Sequence, residues 1–203
     1  MSGIEVEHPA GKREQTKAAN RAAILTAARG VFAEIGFGAA SVRDIVRRTD
    51  LATGTFYNYF PDKESVLRAL VNEISGEARR RVQAARHRAG TLEEFVTSGF
   101  RAYLEFLAED RVTFDLLRRN AGTIRTMFDD PAVGAGTEEL RADLDAGIAS
   151  GAVPAHDTEL MAAAMVGAAL EVGVRVVERE PPDVDGAVDL LAGVFLAGLE
   201  RLK

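Results

Sequence analysis

The sequence predicts an all-α protein of about nine helices: a small N-terminal three-helix domain, followed by a larger helical domain. Three observations lead to this. Apolar residues recur at helical spacing along most of the 203 residues, while no comparable stretch alternates with period two. Helix punctuation by Ser, Thr, Asp, Gly and Pro falls between these stretches. A hydrophobic share of 47% is ample for a core at this length, which argues against a disordered chain.

Each element follows in order. The first twenty residues hold three basic and three acidic residues and no apolar run of the signal-peptide kind, so residues 1–16 are expected to form a flexible arm and the protein to be cytoplasmic. Ile24, Ala28, Val31, Phe32 and Ile35 then form one helical stripe, closed by Gly36-Phe37-Gly38. Ser41 followed by Asp44 resembles a capping box and opens a short helix through about Thr49. A second short helix runs from about Thr53 to Phe60, ended by Pro61-Asp62. A longer helix with Val66, Leu67, Leu70, Val71 and Ile74 on one stripe becomes basic at Arg79-Arg80-Arg81. Gly90-Thr91 provides a break and a cap for a helix carrying Phe95, Phe100, Tyr103 and Leu107. A shorter helix spans about Val112 to Asn120, then an irregular stretch from Gly122 to Pro131 and a Gly134-Ala135-Gly136 loop. The next helix starts near Thr137 and ends at Gly151 and Pro154.

From about Asp157 to Glu178 runs a helix that is apolar nearly all round, and Pro181-Pro182-Asp183 separates it from a last helix, Val184 to about Leu202. A membrane span is rejected for the former, because Glu171 and Arg175 stand in its middle at i, i+4 and each charge would cost about 2.5–3.5 kcal/mol in a bilayer. A helix apolar on all sides must instead be covered by its own chain and by a second copy. Gly167 and Gly173 would remove bulk facing the last helix, and Gly167, Leu170, Val174, Val188, Leu191 and Phe195 are the candidate residues of a homodimeric four-helix interface. An intramolecular core alone is the alternative.

Composition removes other classes. No cysteine is present, which excludes disulfides, thiolate metal sites and cysteine nucleophiles. His8, His87 and His156 are scattered without metal-ligand spacing, and Asp129-Asp130 and Asp143/Asp145 are paired only in sequence, so neither an enzyme nor a cofactor is expected. The net charge of -6 conceals a division: residues 1–90 hold fifteen Lys and Arg against ten Asp and Glu, net +5, whereas residues 91–203 carry net -11. A basic front joined to an acidic back suits a polyanion-facing module attached to something else.

Residues 41–60 have the proportions of a helix-turn-helix. Ile45 and Val46 face inward, Leu51 plugs the angle, and Phe56 and Phe60 bury the second helix. Thr53, Gly54, Thr55, Tyr57, Asn58 and Tyr59 are left outside or on the flanks, an uncharged hydrogen-bonding face suited to close approach to a duplex. Phe32 to Phe37 reads F-A-E-I-G-F, Ser41 to Val46 reads S-V-R-D-I-V, and Thr53 to Lys63 reads T-G-T-F-Y-N-Y-F-P-D-K. These strings resemble the DNA-binding domain of the TetR (tetracycline-repressor) family of transcriptional regulators.

The resemblance implies a homodimer with no cofactor, a helix-turn-helix domain at residues 17–62 that binds a double-stranded DNA operator, and an effector-binding and dimerisation domain at 63–203. The expected function is that of a repressor released from a palindromic operator by a small lipophilic effector; a helical small-molecule or protein-binding module without DNA binding is the alternative. Ser41 would cap its helix and reach phosphate. Arg43 would make a bidentate guanine contact, Thr53 and Thr55 would touch phosphate or base edges, and Tyr57 and Tyr59 the backbone, with Tyr59 the less buried of the two. Gly54 belongs to the same face, Asn58 would set sequence preference, and Lys63 would clamp a phosphate. Lys12, Arg13, Lys17 and Arg21 would add affinity without sequence choice.

Two departures stand out. The turn has Thr49-Asp50 where the family has Ala-Gly, which predicts Asp50 in a left-handed conformation with modest strain. Ala52 replaces a Ser cap, so the cap comes from Thr53 or is lost. In the second domain, Phe100, Tyr103, Phe114, Leu117, Arg118, Asn120, Met161 and Met165 are the candidate effector-pocket residues, with Phe95, Phe106, Met127 and Phe128 as further apolar surface. Arg118 would meet an anionic effector or pair with Asp115 or Glu171. Effector binding is expected to shift the long helix from about Asp62 to Arg88 and so alter the spacing of the recognition helices.

Overall fold

The structure, a computed structural model, describes residues 9–127 and 131–202. The expectations placed on the first eight residues, His8 among them, and on Phe128, Asp129 and Asp130 lie outside the described residues. Among the described residues there are ten helices and no strand: α1 Pro9–Ile35, α2 Val42–Val46, α3 Thr53–Tyr57, α4 Lys63–Arg86, α5 Leu92–Glu109, α6 Arg111–Arg119, α7 Ala121–Arg125, α8 Pro131–Ala149, α9 Thr158–Val177 and α10 Val184–Glu200. The all-α class holds. Two compact units divide at Leu70/Val71, inside α4, rather than at residue 62 as the motif alone suggested.

In the first unit, residues 9–16 continue α1 instead of forming an arm; from Gly11 onward this turn is exposed and carries Lys12 and Arg13. Ile24, Ala28, Val31 and Phe32 bury the inner stripe, while Ile35 is 47% exposed and leaves it. Gly36, at φ 78°, takes the left-handed position that closes α1, and its carbonyl accepts from Ala40 N at 3.2 Å. Ile45, Phe56, Phe60, Val66, Leu67 and Leu70 complete the core of this unit. Among the described residues no non-glycine has positive φ, so Asp50 is not left-handed. The turn is held by Thr49 instead: its hydroxyl donates to Val46 O (2.9 Å) and accepts from Leu51 N (3.2 Å), a side-chain substitute for a glycine turn.

The second unit packs α5 against α9 and α10, with α8 against α9. Phe100, Leu104, Leu144, Met165, Val188 and Leu191 lie at its centre. Thr91 caps α5 through a capping box, as the sequence suggested. Two segments read as irregular are helical. Around the cap at Asn120, α7 forms by burying Ile124 and Met127, an i, i+3 pair too short to stand out in the sequence. The Gly134-Ala135-Gly136 segment lies inside α8, whose Pro131 occupies a favourable first position. Each glycine costs about 1 kcal/mol of propensity, which burial of Leu140 and Leu144 along the same helix outweighs. Gly151, at φ 75°, turns the chain so that Ala152 N and Val153 N both donate to Gly147 O, at 2.9 and 3.1 Å.

Helix α9 is the one helix among the described residues long and apolar enough to cross a membrane by composition. Its Ala162, Met165, Ala169 and Gly173 are buried inside the unit, and Arg175 meets Glu171 at 3.1 Å on its outer side. Gly173 makes room for α5 and not for α10: a Cβ there would stand 2.6 Å from Leu107 Cδ1. Gly167 faces open space.

Candidate functional site

Helices α2 and α3 carry the first candidate site. Ser41 caps α2: its hydroxyl accepts from Asp44 N (3.3 Å) while Ser41 N and the same hydroxyl donate to Asp44 Oδ2 (2.9 and 2.5 Å). Hydrogen bonds from the Ser41 side chain and backbone hold the Asp44 carboxyl below its ordinary 3.8. With that hydroxyl engaged at the helix end, Arg43 stands exposed two residues further on. Helix α2 is tied to α1 by Arg48, which meets Glu34 in a fork, Nη1 to Oε1 at 2.7 Å and Nη2 to Oε2 at 2.5 Å. The hydrogen bond from Arg48 lowers the Glu34 carboxyl. Gly30 leaves space for that fork, since a Cβ there would be 3.1 Å from Arg48 Nη1. Arg48, in the turn after α2, has no local signature in the sequence, because its partner lies fourteen residues away.

Thr53, Gly54, Tyr57 and Asn58 are exposed on α3, and Thr55 is half-buried. Ala52 is the N-cap without a side-chain hydrogen bond, so the cap is lost and not replaced by Thr53. The two tyrosines differ from expectation: Tyr57 is 54% exposed, whereas Tyr59 is the more buried, its hydroxyl accepting from Asn20 Nδ2 at 3.1 Å. Lys63 is also differently employed. Its ammonium donates to Phe37 O (2.8 Å) and Ala40 O (2.9 Å) and lies 4.4 Å from the Phe37 ring centroid, so it braces the segment between α1 and α2. The face is thus an uncharged, hydroxyl- and amide-rich helix surface, with the exposed guanidinium of Arg43 on the neighbouring α2.

The second candidate site is a cavity of about 320 Å³ in the second unit, lined by α4, α5, α8 and α9 together with Leu117 and Ile124. Of the eight candidates, it is lined by Tyr103 and Leu117. The other six lie elsewhere. Phe100 and Met165 are buried in the core, with Met161 packed on it, and Phe100 meets Phe195 at 5.7 Å. Phe114 is buried beneath Arg111, 5.4 Å from Cζ to centroid. Asn120 donates to Leu116 O at 2.7 Å as the turn between α6 and α7. Arg118 approaches Asp115 (3.6 Å) and Glu178 (3.7 Å), while Glu171 goes to Arg175.

The lining that the sequence did not reveal comes from α4: Val71, Ser75, Arg79, Val82, Gln83 and Arg86, spaced at i, i+4, i+8, i+11, i+12 and i+15. Among the polar residues of that stripe, the sequence marks only Arg79, as part of the basic run Arg79-Arg80-Arg81, and gives no signal at Arg86. Burial lowers the pKa of Arg86, opposed by Asp143 and Glu139. Burial pushes the Tyr103 hydroxyl above its ordinary value, so it stays a proton donor at neutral pH.

The candidate dimer residues also divide. Val188 and Leu191 are 0% and 3% exposed within a single chain, Phe195 packs on the same core, and Leu170 lines the cavity. Val188 and Leu191 are turned onto the chain's own core by the packing of α10 on α5 and offer no outer face, while Phe195 and Leu170 are half-buried. The large apolar side chains exposed on α9 and α10 are instead Leu160, Leu190 and Val194, 68%, 59% and 59% exposed; Gly167, Gly193 and Gly198 face open space, and Val174 is half-buried.

A helical protein with a helix-turn-helix unit and a separate cavity-bearing unit defines a class of bacterial regulators, and the comparisons specify it. The family described as "Bacterial regulatory proteins, tetR family" matches residues 24–70, from within α1 to the first turns of α4, so the helix-turn-helix unit is of the kind found in those regulators. The chain is 33% identical over 90 residues to the HTH-type transcriptional repressor KstR2 of Rhodococcus jostii (strain RHA1), a match covering 42% of this chain and 44% of that protein. It therefore spans less than half the length of that relative. In fold, it resembles the fatty acid degradation regulator FadR of Bacillus halodurans, at TM-score 0.75 and 24% identity over 96% of this chain and 98% of the other. It also resembles RolR in complex with resorcinol, at TM-score 0.64 and 23% identity over 94% and 90%.

Proposed function

We propose that the protein is a ligand-responsive transcriptional regulator, a repressor that leaves a two-fold symmetric operator when a small apolar effector enters the cavity of the second unit. The observation that carries the reading is the surface of α3. Thr53, Gly54, Tyr57 and Asn58 offer hydroxyls, an amide and a bare backbone with no charge, beside the exposed Arg43. Open space at Gly54 suits close approach of a phosphate backbone. Arg43 contacts a base edge, Thr53, Thr55 and Tyr57 contact phosphate or base, and Ser41 and Tyr59 position the two helices. Such a protein acts in the cytoplasm, where the DNA is.

The cavity supports the effector half of the reading: its size lies at the small end of ligand pockets, about 300–1,000 Å³, and RolR, similar in fold, holds resorcinol. Helix α4 carries Lys63 at one end and the cavity residues Val71 to Arg86 along the rest, which makes it the element through which a ligand acts on DNA affinity. Two copies associate through the outer apolar face of Leu160, Leu190 and Val194. The test is fluorescence anisotropy on DNA from upstream of the protein's own gene, with a salt series. Arg43→Ala should cost about 1–3 kcal/mol on the preferred sequence and little on scrambled DNA. If no fragment gives sequence-selective, salt-dependent binding, the chain is a helical binding module without DNA.

A further inference from the structure

Arg86 ends α4 in a setting unlike that of the other arginines. A Cβ at Gly99 of α5 would stand 2.8 Å from Arg86 Nε, so the guanidinium lies against the α5 backbone at a place only a glycine leaves open. One turn earlier, the Phe95 ring centroid is 5.2 Å from Arg86 Cζ. The guanidinium forms part of the cavity wall, and its Nε is buried with no hydrogen-bond partner among the described residues. A desolvated guanidinium with a donor left unpaired is costly, and a carboxylate in the cavity bonded to the rest of the group would offset that cost. The nearby carboxylates do not serve: Glu139 is answered by Arg79 at 3.7 Å, and Asp143 is exposed to solvent.

We propose that the cavity takes a small organic monoacid, its apolar body against Val82, Phe106, Val166 and Leu170 and its carboxylate received by Arg86. This rests on the reading of the cavity as the effector site. Tyr103 and Thr137, also in the wall, provide further hydroxyl donors. A cationic ligand is disfavoured, because the carboxylates it would meet are already paired or hydrated. A phosphate is disfavoured too, since its second charge would face Glu139 and Asp143 with Arg79 already engaged. A cavity of about 320 Å³ suits one ring or a short chain.

The test is calorimetric titration of the full chain with 3-phenylpropanoate and octanoate, each against its primary amide. Each acid should bind roughly tenfold more tightly than its amide, the size expected of charge-assisted hydrogen bonds in a desolvated site. Arg86→Met should abolish that preference while leaving amide affinity nearly unchanged. Gly99→Ala should weaken acid binding by displacing the guanidinium, and it reads the same contact if the Arg86 variant does not fold. Equal binding of acid and amide to the unaltered protein, retention of the preference in Arg86→Met, or no binding of any probe overturns the proposal. Val166→Phe separates the two readings. If it blocks amide binding while acids show no advantage, the cavity remains the effector site and the Arg86 role fails; if probe binding ignores it, the ligand lies elsewhere and both fail.

Discussion

Lys63→Met separates two roles for one ammonium group. In the structure, Lys63 Nζ donates to Phe37 O at 2.8 Å and to Ala40 O at 2.9 Å and stands over the Phe37 ring at 4.4 Å. Hydrogen bonds to a charged donor contribute about 1.5–3 kcal/mol each, and roughly half is recovered here because the freed carbonyls are only part-buried and regain water. The ring contact adds about 0.5–1 kcal/mol. The expected loss is therefore about 2–4 kcal/mol, and since 1 kcal/mol moves the melting point of a chain this size by about 2–4 °C, the protein should melt about 4–16 °C lower. Methionine keeps the length and apolar stem, so the change isolates the charge. Circular dichroism melting is measured alongside the salt dependence of DNA binding at a temperature where both proteins are folded. A phosphate clamp would instead leave the melting point in place and reduce the slope of log K against log salt by about 0.9. That pair of results would refute the bracing role.

Four further outcomes are expected. Ser41→Ala should destabilise α2 by about 1 kcal/mol and let the Asp44 carboxyl return toward 3.8, measured by NMR titration. Because the folded pKa is the lower, Asp44 contributes stability above about pH 3.8 that is lost as the pH falls toward the folded value, and the variant should lack that acid-side slope. Val194→Asp with Leu190→Asp should yield a monomer in analytical ultracentrifugation while the melting point of the chain's own core changes little, since both residues are 59% exposed; a dimer that persists would place the interface elsewhere. Gly173→Ala should destabilise by about 0.5–2 kcal/mol in urea unfolding, overpacking against Leu107 at 2.6 Å outweighing the helix-propensity gain. Gly76→Ala, whose nearest contact is 3.6 Å, should instead stabilise by up to about 1 kcal/mol.

The helix-turn-helix was legible because its determinants are local. The capping box at Ser41 and Asp44, the i, i+4 pair Phe56 and Phe60, and the break at Pro61 all act within a few residues of each other. The places where the reading failed depend on distant partners. Lys63 and its two carbonyl acceptors are separated by 23 and 26 residues, and Tyr59 and Asn20 by 39. The cavity wall was less legible still. Phe100, Met161 and Met165 have the composition of a ligand pocket but fill the core, whereas Arg79, Gln83 and Arg86 look like a solvated helix face and line the cavity.

By itself, then, the sequence determined the all-α class, nearly all of the helices, the DNA-reading motif and the acidic and basic halves, because helix periodicity, capping and charge are properties of neighbouring residues. Tertiary structure decided which faces of those helices are inside. It turned Val188 and Leu191 onto the chain's own core and left Leu190 and Val194 outside. It also drew Gly134 and Gly136 into a helix and set Arg86 against Gly99. An amphipathic stripe states that a face must be buried, but the partner that buries it, often far along the chain, is settled only when the helices pack.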